Sequence, residues 1–171
     1  STSCAVAWPA GVTDTIAARS VIIPNGVSPD VRGFADLSSV KRRIIAVGRL
    51  AKQKNFLALI RAFAIVTPDH PNWELAIFGE GSERQILQDE IDRLRLVGRV
   101  RLNGETTAIH DEMIASDFLV VPSLFEGFAI VVVEAKRAGL PAIAYASCNG
   151  PNELIRDAVD GVLVRSDAEE D

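Results

Sequence analysis

Cysteine is scarce in this chain: Cys4 and Cys148 are the only two in 171 residues, far apart and in no CxxC pattern. That excludes a disulfide framework and a thiolate zinc site, and it fits a reducing compartment such as the cytoplasm. Long hydrophobic runs are missing too. No stretch reaches the roughly 18–20 apolar residues needed to span a bilayer. The opening Ser1–Gly11 has no basic lead and is cut by Pro9, which argues against a secretory signal. Positive charge falls short of negative, with 18 Lys and Arg against 23 Asp and Glu and a net charge of -5. A nucleic-acid partner would prefer the opposite balance. No GxxxxGK[ST] loop occurs, so a P-loop ATPase or kinase is not expected. The two histidines, His70 and His110, lie in polar stretches that read as exposed and draw no functional role.

What is present is patterned. Residues 1–40 are broken by Pro9, Gly11, Pro24, Gly26, Pro29 and Gly33 and read as a lead-in with one short strand, Ser20–Ile23. From residue 41 to 171 a regular alternation takes over. Apolar, β-branched runs at Ile44–Val47, Glu74–Phe78, Val100–Leu102, Phe118–Val121, Ala142–Tyr145 and Val162–Val164 predict strands. Between them, spacings such as Phe56, Leu59, Ile60, Phe63 and Ile86, Leu87, Ile91, Leu94 predict amphipathic helices. Strands alternating with helices imply an α/β domain with a parallel sheet of about six strands, covered on both faces. Ligands of such sheets bind beyond the carboxyl ends of the strands, so the loops following each strand are the places to search.

The first of these loops, Gly48-Arg49-Leu50-Ala51-Lys52-Gln53-Lys54-Asn55, places cations just before a helix, where free N–H groups already favour anions. Arg49 and Lys54 suit a diphosphate, one as a planar fork and one as a point charge; Lys52 reads as solvated. The second, Gly79-Glu80-Gly81-Ser82-Glu83-Arg84, begins like a dinucleotide fingerprint but has Arg84 where the third glycine belongs. A tight turn with Ser82 capping the next helix explains it better. The third, Asn103-Gly104-Glu105-Thr106, is a turn whose backbone groups at Gly104 and Glu105 are available to line a base pocket.

The fourth loop is the most specific. Pro122-Ser123-Leu124-Phe125-Glu126-Gly127-Phe128-Ala129-Ile130 runs into a helix carrying Glu134, eight residues after Glu126. One carboxylate stands beside a helix N-terminus whose amides lack internal partners, and the other two turns along. Carboxylates accept from sugar hydroxyls, while open amides suit a phosphate or a sugar oxygen.

These motifs, in this order, resemble glycosyltransferase family 4. The match rests on IPNGV at Ile23–Val27, VGRL at Val47–Leu50 with Gln53-Lys54, FGEG at Phe78–Gly81, Pro122-Ser123, E-x7-E from Glu126 to Glu134, AGLP ending at Pro141, GPNELI and DGVLV. The resemblance implies the Rossmann-like, three-layer α/β/α, nucleotide-sugar-binding half of a GT-B enzyme, with the N-terminal acceptor-binding domain absent from this chain. It implies transfer with retention and without a metal or other cofactor. Arg49 and Lys54 would hold the donor diphosphate and stabilise the leaving nucleotide. Glu134 would bind the ribose. Glu126 would contact the transferred sugar, helped by the backbone of Gly127, Phe128, Ala129 and Ile130. GPNELI resembles members using UDP-sugars, favouring UDP over GDP. The implied partners are the donor and an acceptor domain, at the inner face of a membrane or free in the cytoplasm, in envelope or capsular glycan synthesis.

Two departures stand against the pattern. Lys136-Arg137 follows Glu134-Ala135 where small or apolar residues are usual, and Ser1–Ala18 resembles nothing diagnostic. Two other readings stay open: a nucleotide-sugar-binding module without turnover, and a sugar-nucleotide epimerase of the same architecture. The second would need acid–base residues that these His-poor loops do not offer.

Overall fold

The structure, a computed structural model, describes residues 33–146 and 149–165. The expected strand Ser20–Ile23 and the IPNGV motif lie outside the described residues. Six strands form one sheet: β1 (Arg43–Val47), β2 (Glu74–Phe78), β3 (Val100–Gly104), β4 (Phe118–Val121), β5 (Ala142–Tyr145) and β6 (Gly161–Val164). All pairings are parallel, in the order β3-β2-β1-β4-β5-β6. This is the Rossmann-like order, and its direction reverses between β1 and β4. The connecting helices are α1 (Phe56–Val66), α2 (Arg84–Arg93), α3 (Ile109–Ile114), α4 (Ile130–Arg137) and α5 (Asn149–Leu154).

Burial explains why the strands read as they do. At the centre, Ile44, Ile45 and Ala46 of β1 and Leu75 to Phe78 of β2 are all buried. A strand covered on both faces needs an unbroken apolar run, and β1 and β2 have one. One core joins Ile45, Leu119 and Ala144 of the sheet to Met113 of α3, Val132 of α4 and Ile155 just after α5. The other joins Ala46, Leu75 and Ile77 to Phe56, Ile60 and Phe63 of α1 and Leu87 and Ile91 of α2. Truncating one fully buried leucine here, such as Leu75 or Leu119, should cost about 2–5 kcal/mol.

Helices pack on both faces of the sheet, as expected, with an open stretch on one of them. On the α1 side, Val120, Ile143, Tyr145 and Val164 line an apolar cavity of about 210 Å³ with Ala58, Leu59 and Ala62. Among the described residues no helix crosses β4, β5 and β6 there. Accordingly β4, β5 and β6 alternate between more and less buried positions, unlike β1 and β2.

Polar ties lock the elements. Glu90 of α2 is nearly buried and accepts from Arg61 of α1 at 2.6 Å and from Arg93 at 2.7 Å. Hydrogen bonds from Arg93 and Arg61 hold its carboxyl down at about 2. Lys136, one of the two unusual cations, reaches across to the Leu154 carbonyl at the end of α5 and to Asp160 at 3.0 Å. That residue is therefore a tie between α4 and the turn before β6, with the cation well placed against helix-terminal carbonyls.

Candidate functional site

Because all six strands run the same way, the loops after β1, β2, β3 and β4 meet at one edge. Arg49, Lys54, Glu126 and Glu134 all stand at it. The loops after β1 and β2 are stitched through their backbones. The Gly48 amide donates to the Phe78 carbonyl at 2.9 Å, the Leu50 amide to Glu80 at 2.9 Å, and the Glu83 amide to Leu50 at 3.0 Å. This close approach explains Gly79-Glu80-Gly81: a Cβ on Gly79 would lie 2.0 Å from the Gly48 oxygen, and one on Gly81 2.3 Å from the Leu50 oxygen. The two glycines serve loop-to-loop packing rather than a dinucleotide. Ser82 does not cap α2, contrary to expectation. The helix begins at Arg84 with Glu83 in the cap position and no side-chain cap bond, because the turn is already held by Leu50.

An open cleft of about 370 Å³ lies over this edge, lined by Val47 to Arg49, Phe78 to Glu80, Glu105, Thr106, Ile109 and Glu134. Three expected residues therefore share one space: Arg49, Glu105 and Glu134. Arg49 is exposed and has no ion-pair partner among the described residues. Glu134 is half-buried on the second turn of α4, and burial pushes its carboxyl up from the ordinary value while Arg137 pulls it down. Gly104 is buried behind the cleft wall, where its carbonyl accepts from the Gly79 amide at 2.7 Å. Glu80, which sequence reasoning left out, also lines the cleft. Its carboxylate is held by Arg84 at 2.8 Å, and Arg84 in turn reaches the Leu102 carbonyl at 3.0 Å. The signal was present as an i,i+4 pair.

Lys54 and Glu126 are arranged differently. They form an ion pair at 2.5 Å, with side chains only 20% and 14% exposed, and Ser123 Oγ lies 3.3 Å from the same carboxylate oxygen. Neither lines the cleft. Lys54 is thus not the free cation expected beside a helix N-terminus: it sits in a 3-10 turn, Lys52–Lys54, followed by Asn55 in the left-handed region (φ 55°). The amide row expected from Gly127 to Ile130 is also partly used, since the Ile130 amide donates to the Phe128 carbonyl at 3.0 Å. Gly127 is exposed, Phe128 half-buried and Ala129 buried. The Glu126 carbonyl accepts from the Gly150 amide at 3.0 Å, tying the loop to α5. His110 is half-buried rather than exposed.

Residues 31–171 match the family described as glycosyl transferases group 1. The chain belongs to that family. An amylovoran biosynthesis glycosyltransferase, AmsD, of Erwinia amylovora is 31% identical over 90% of this chain and 44% of its own length. An exopolysaccharide phosphotransferase of Streptomyces coelicolor is 37% identical, over 86% of this chain but only 16% of that protein. The pneumococcal O-GlcNAc transferase GtfA, solved with UDP and GlcNAc, superposes with a TM-score of 0.72 at 25% identity, covering 81% of this chain and 28% of GtfA. The chain spans less than half the length of each of these relatives. The six-stranded parallel sheet is the Rossmann-like half of a GT-B fold.

Proposed function

We propose that this glycosyl transferases group 1 domain binds the donor of a retaining, metal-independent hexosyltransferase of the family-4 type. A sugar would pass from a nucleoside diphosphate, UDP before GDP, to a glycan or lipid-linked acceptor in envelope or capsular polysaccharide synthesis. The acceptor would be held by a second, N-terminal domain, in the cytoplasm or at the inner face of its membrane. The observation that supports this most is the cleft, where Arg49, with no ion-pair partner among the described residues, and a half-buried Glu134 line one space at the reversal point of the sheet. Glycosyltransferases, one of them solved with UDP, are among the relatives.

We assign the roles as the family resemblance implies them, with the cleft supporting those of Arg49 and Glu134. Arg49 takes the diphosphate, and its charge gains in value as the sugar–phosphate bond breaks and negative charge builds on the leaving nucleotide. Glu134 accepts from the ribose hydroxyls, Glu105 and the Gly104 turn border the base, and Glu126 faces the transferred sugar beside the backbone of Gly127 to Ile130. Lys54 joins Arg49 on the diphosphate when it leaves Glu126. Calorimetric titration of UDP-, GDP- and ADP-sugars into this chain tests the reading. A UDP-sugar binding best, without added metal, is the expected result. No binding of any nucleotide sugar would overturn it.

A further inference from the structure

Two consecutive residues of the loop after β1 reach three consecutive residues of the loop after β4. Gln53 accepts from the Leu124 amide at 2.9 Å through its backbone carbonyl and donates from side-chain Nε2 to the Phe125 carbonyl at 3.0 Å. Lys54 follows with its 2.5 Å contact to Glu126. These contacts span the crevice between β1 and β4, where the strand order reverses. The bridged loop has little else to fix it. Leu124 and Phe125 are 57% and 63% exposed, so the loop's apolar side chains are only partly packed. Across from Gln53, among the described residues, the loop is tied to α5 by the Gly150 amide on the Glu126 carbonyl. Where apolar burial is partial, directional polar contacts decide where a loop rests.

We infer that Gln53 is a positioning residue that holds Glu126 in place for the transferred sugar, acting through the Phe125 carbonyl rather than by touching donor. The inference rests on the sugar-facing role given to Glu126 above. A side-chain amide at position 53 keeps the loop in register when Lys54 turns from Glu126 to the diphosphate, because the Gln53 contacts do not depend on that ion pair. Without it, the loop would be free to move just when its carboxylate is needed.

The test uses Gln53→Met, which keeps length and removes the donor, and Gln53→Glu, which sets an acceptor against a carbonyl. The ligands are the tightest-binding nucleotide sugar of the UDP, GDP and ADP panel and its own nucleoside diphosphate. Gln53→Met should weaken the nucleotide sugar by roughly three- to tenfold, the scale of one hydrogen bond. Plain diphosphate should change by less than about twofold, since the residues assigned to it remain. In a Glu126→Ala background the Gln53→Met effect should disappear. Independently of any ligand, amide exchange at 124–127 should quicken in both variants, more in Gln53→Glu, with the melting temperature of the rest of the domain unmoved. Equal weakening of diphosphate and nucleotide sugar, or a full effect surviving Glu126→Ala, would overturn the inference; so would unchanged exchange at 124–127. If the native chain binds no nucleotide sugar, it is the proposed function that fails, and the exchange measurement still decides whether Gln53 holds the loop.

Discussion

The cleft and the clamp sit on the same edge of the sheet but solve opposite problems. In the cleft, Arg49 is exposed with no ion-pair partner among the described residues, and Glu134 is half-buried, its carboxyl pushed up by burial and drawn down by Arg137. In the clamp, Lys54 and Glu126 have already found each other at 2.5 Å. An open cation gains its full contact with an arriving phosphate. A paired one first gives up a charge-assisted hydrogen bond, and its net contribution is smaller. The family resemblance implies one site for all four residues, whereas the fold lines the cleft with Arg49 and Glu134 and pairs Lys54 with Glu126 outside it.

The largest expected effect would remove the difference by destroying both regions. Gly79→Ala places a Cβ 2.0 Å from the Gly48 oxygen at a φ of 131°, and the neighbour is backbone with nowhere to go. A loss of about 3 kcal/mol of stability is expected, at the upper end for overpacking. Gly127, with nothing within 4 Å of a Cβ, should tolerate alanine within about 0.5 kcal/mol. Urea unfolding of the two variants reads the contrast directly. Next in size, Arg49→Ala should weaken nucleoside diphosphate by roughly 1.5–3 kcal/mol, the scale of a hydrogen bond to a charged group. Lys54→Ala should cost less than half as much, because the pair with Glu126 no longer has to open. Equal losses in calorimetry would mean that the clamp opens freely and the comparison is empty.

The fold was legible because strand and helix periods differ so plainly here. Every expected strand within the described residues is present, and neither β1 nor β2 is an edge strand, in keeping with Ile44 to Val47 and Leu75 to Phe78 offering no polar face. The cleft residues were legible as candidates: Arg49 and Glu105 follow strands, and Glu134 sits on the second turn of the helix after β4. The ion pair was not, because residues 72 apart in sequence meet only through the order in which β1 and β4 lie side by side. Ser82 misled for a related reason. Capping is judged from local sequence, but here the Leu50 carbonyl, from another loop, had taken the Glu83 amide. Gln53 was visible only as part of a motif, since nothing in its neighbourhood indicates that its amide points at Phe125.

A third prediction sharpens the division between the two carboxylates. Glu134 shares the cleft with Arg49, so Glu134→Ala should weaken a nucleoside diphosphate and its sugar conjugate alike, by about 1 kcal/mol. Glu126 lies outside the cleft lining, and Glu126→Ala should weaken only the conjugate. It should also free Lys54, so that plain diphosphate binds unchanged or slightly tighter. Four titrations give the answer, and loss of plain diphosphate in Glu126→Ala equal to that in Glu134→Ala would erase the division.

The smallest expected effect is in pH, where Glu134 and Glu90 carry opposite signs. Glu90 is held down at about 2 by Arg93 and Arg61, so the native state favours its charged form. Its contribution to stability is present above the ordinary glutamate value near 4.5 and is lost as pH falls toward 2. Glu134 is raised by burial, so the native state favours its protonated form. Its contribution is full below the ordinary value and is lost as pH rises through the elevated one. Of these two groups only Glu134 lies in the cleft, whereas Glu90 lies in the α1–α2 contact. As pH falls, Glu134 takes up a proton before an ordinary carboxylate would, and the ribose loses a charged acceptor. Nucleoside diphosphate should therefore bind about threefold more weakly across that step, a modest loss because a carboxylic acid still accepts through its carbonyl oxygen. Titrations at a series of pH values in native and Glu134→Gln chains measure it. The dependence should vanish in Glu134→Gln and persist in Glu90→Gln. If Glu90→Gln removes it instead, the pH response belongs to the packing of α1 on α2, and the open cleft is not the group that senses the proton.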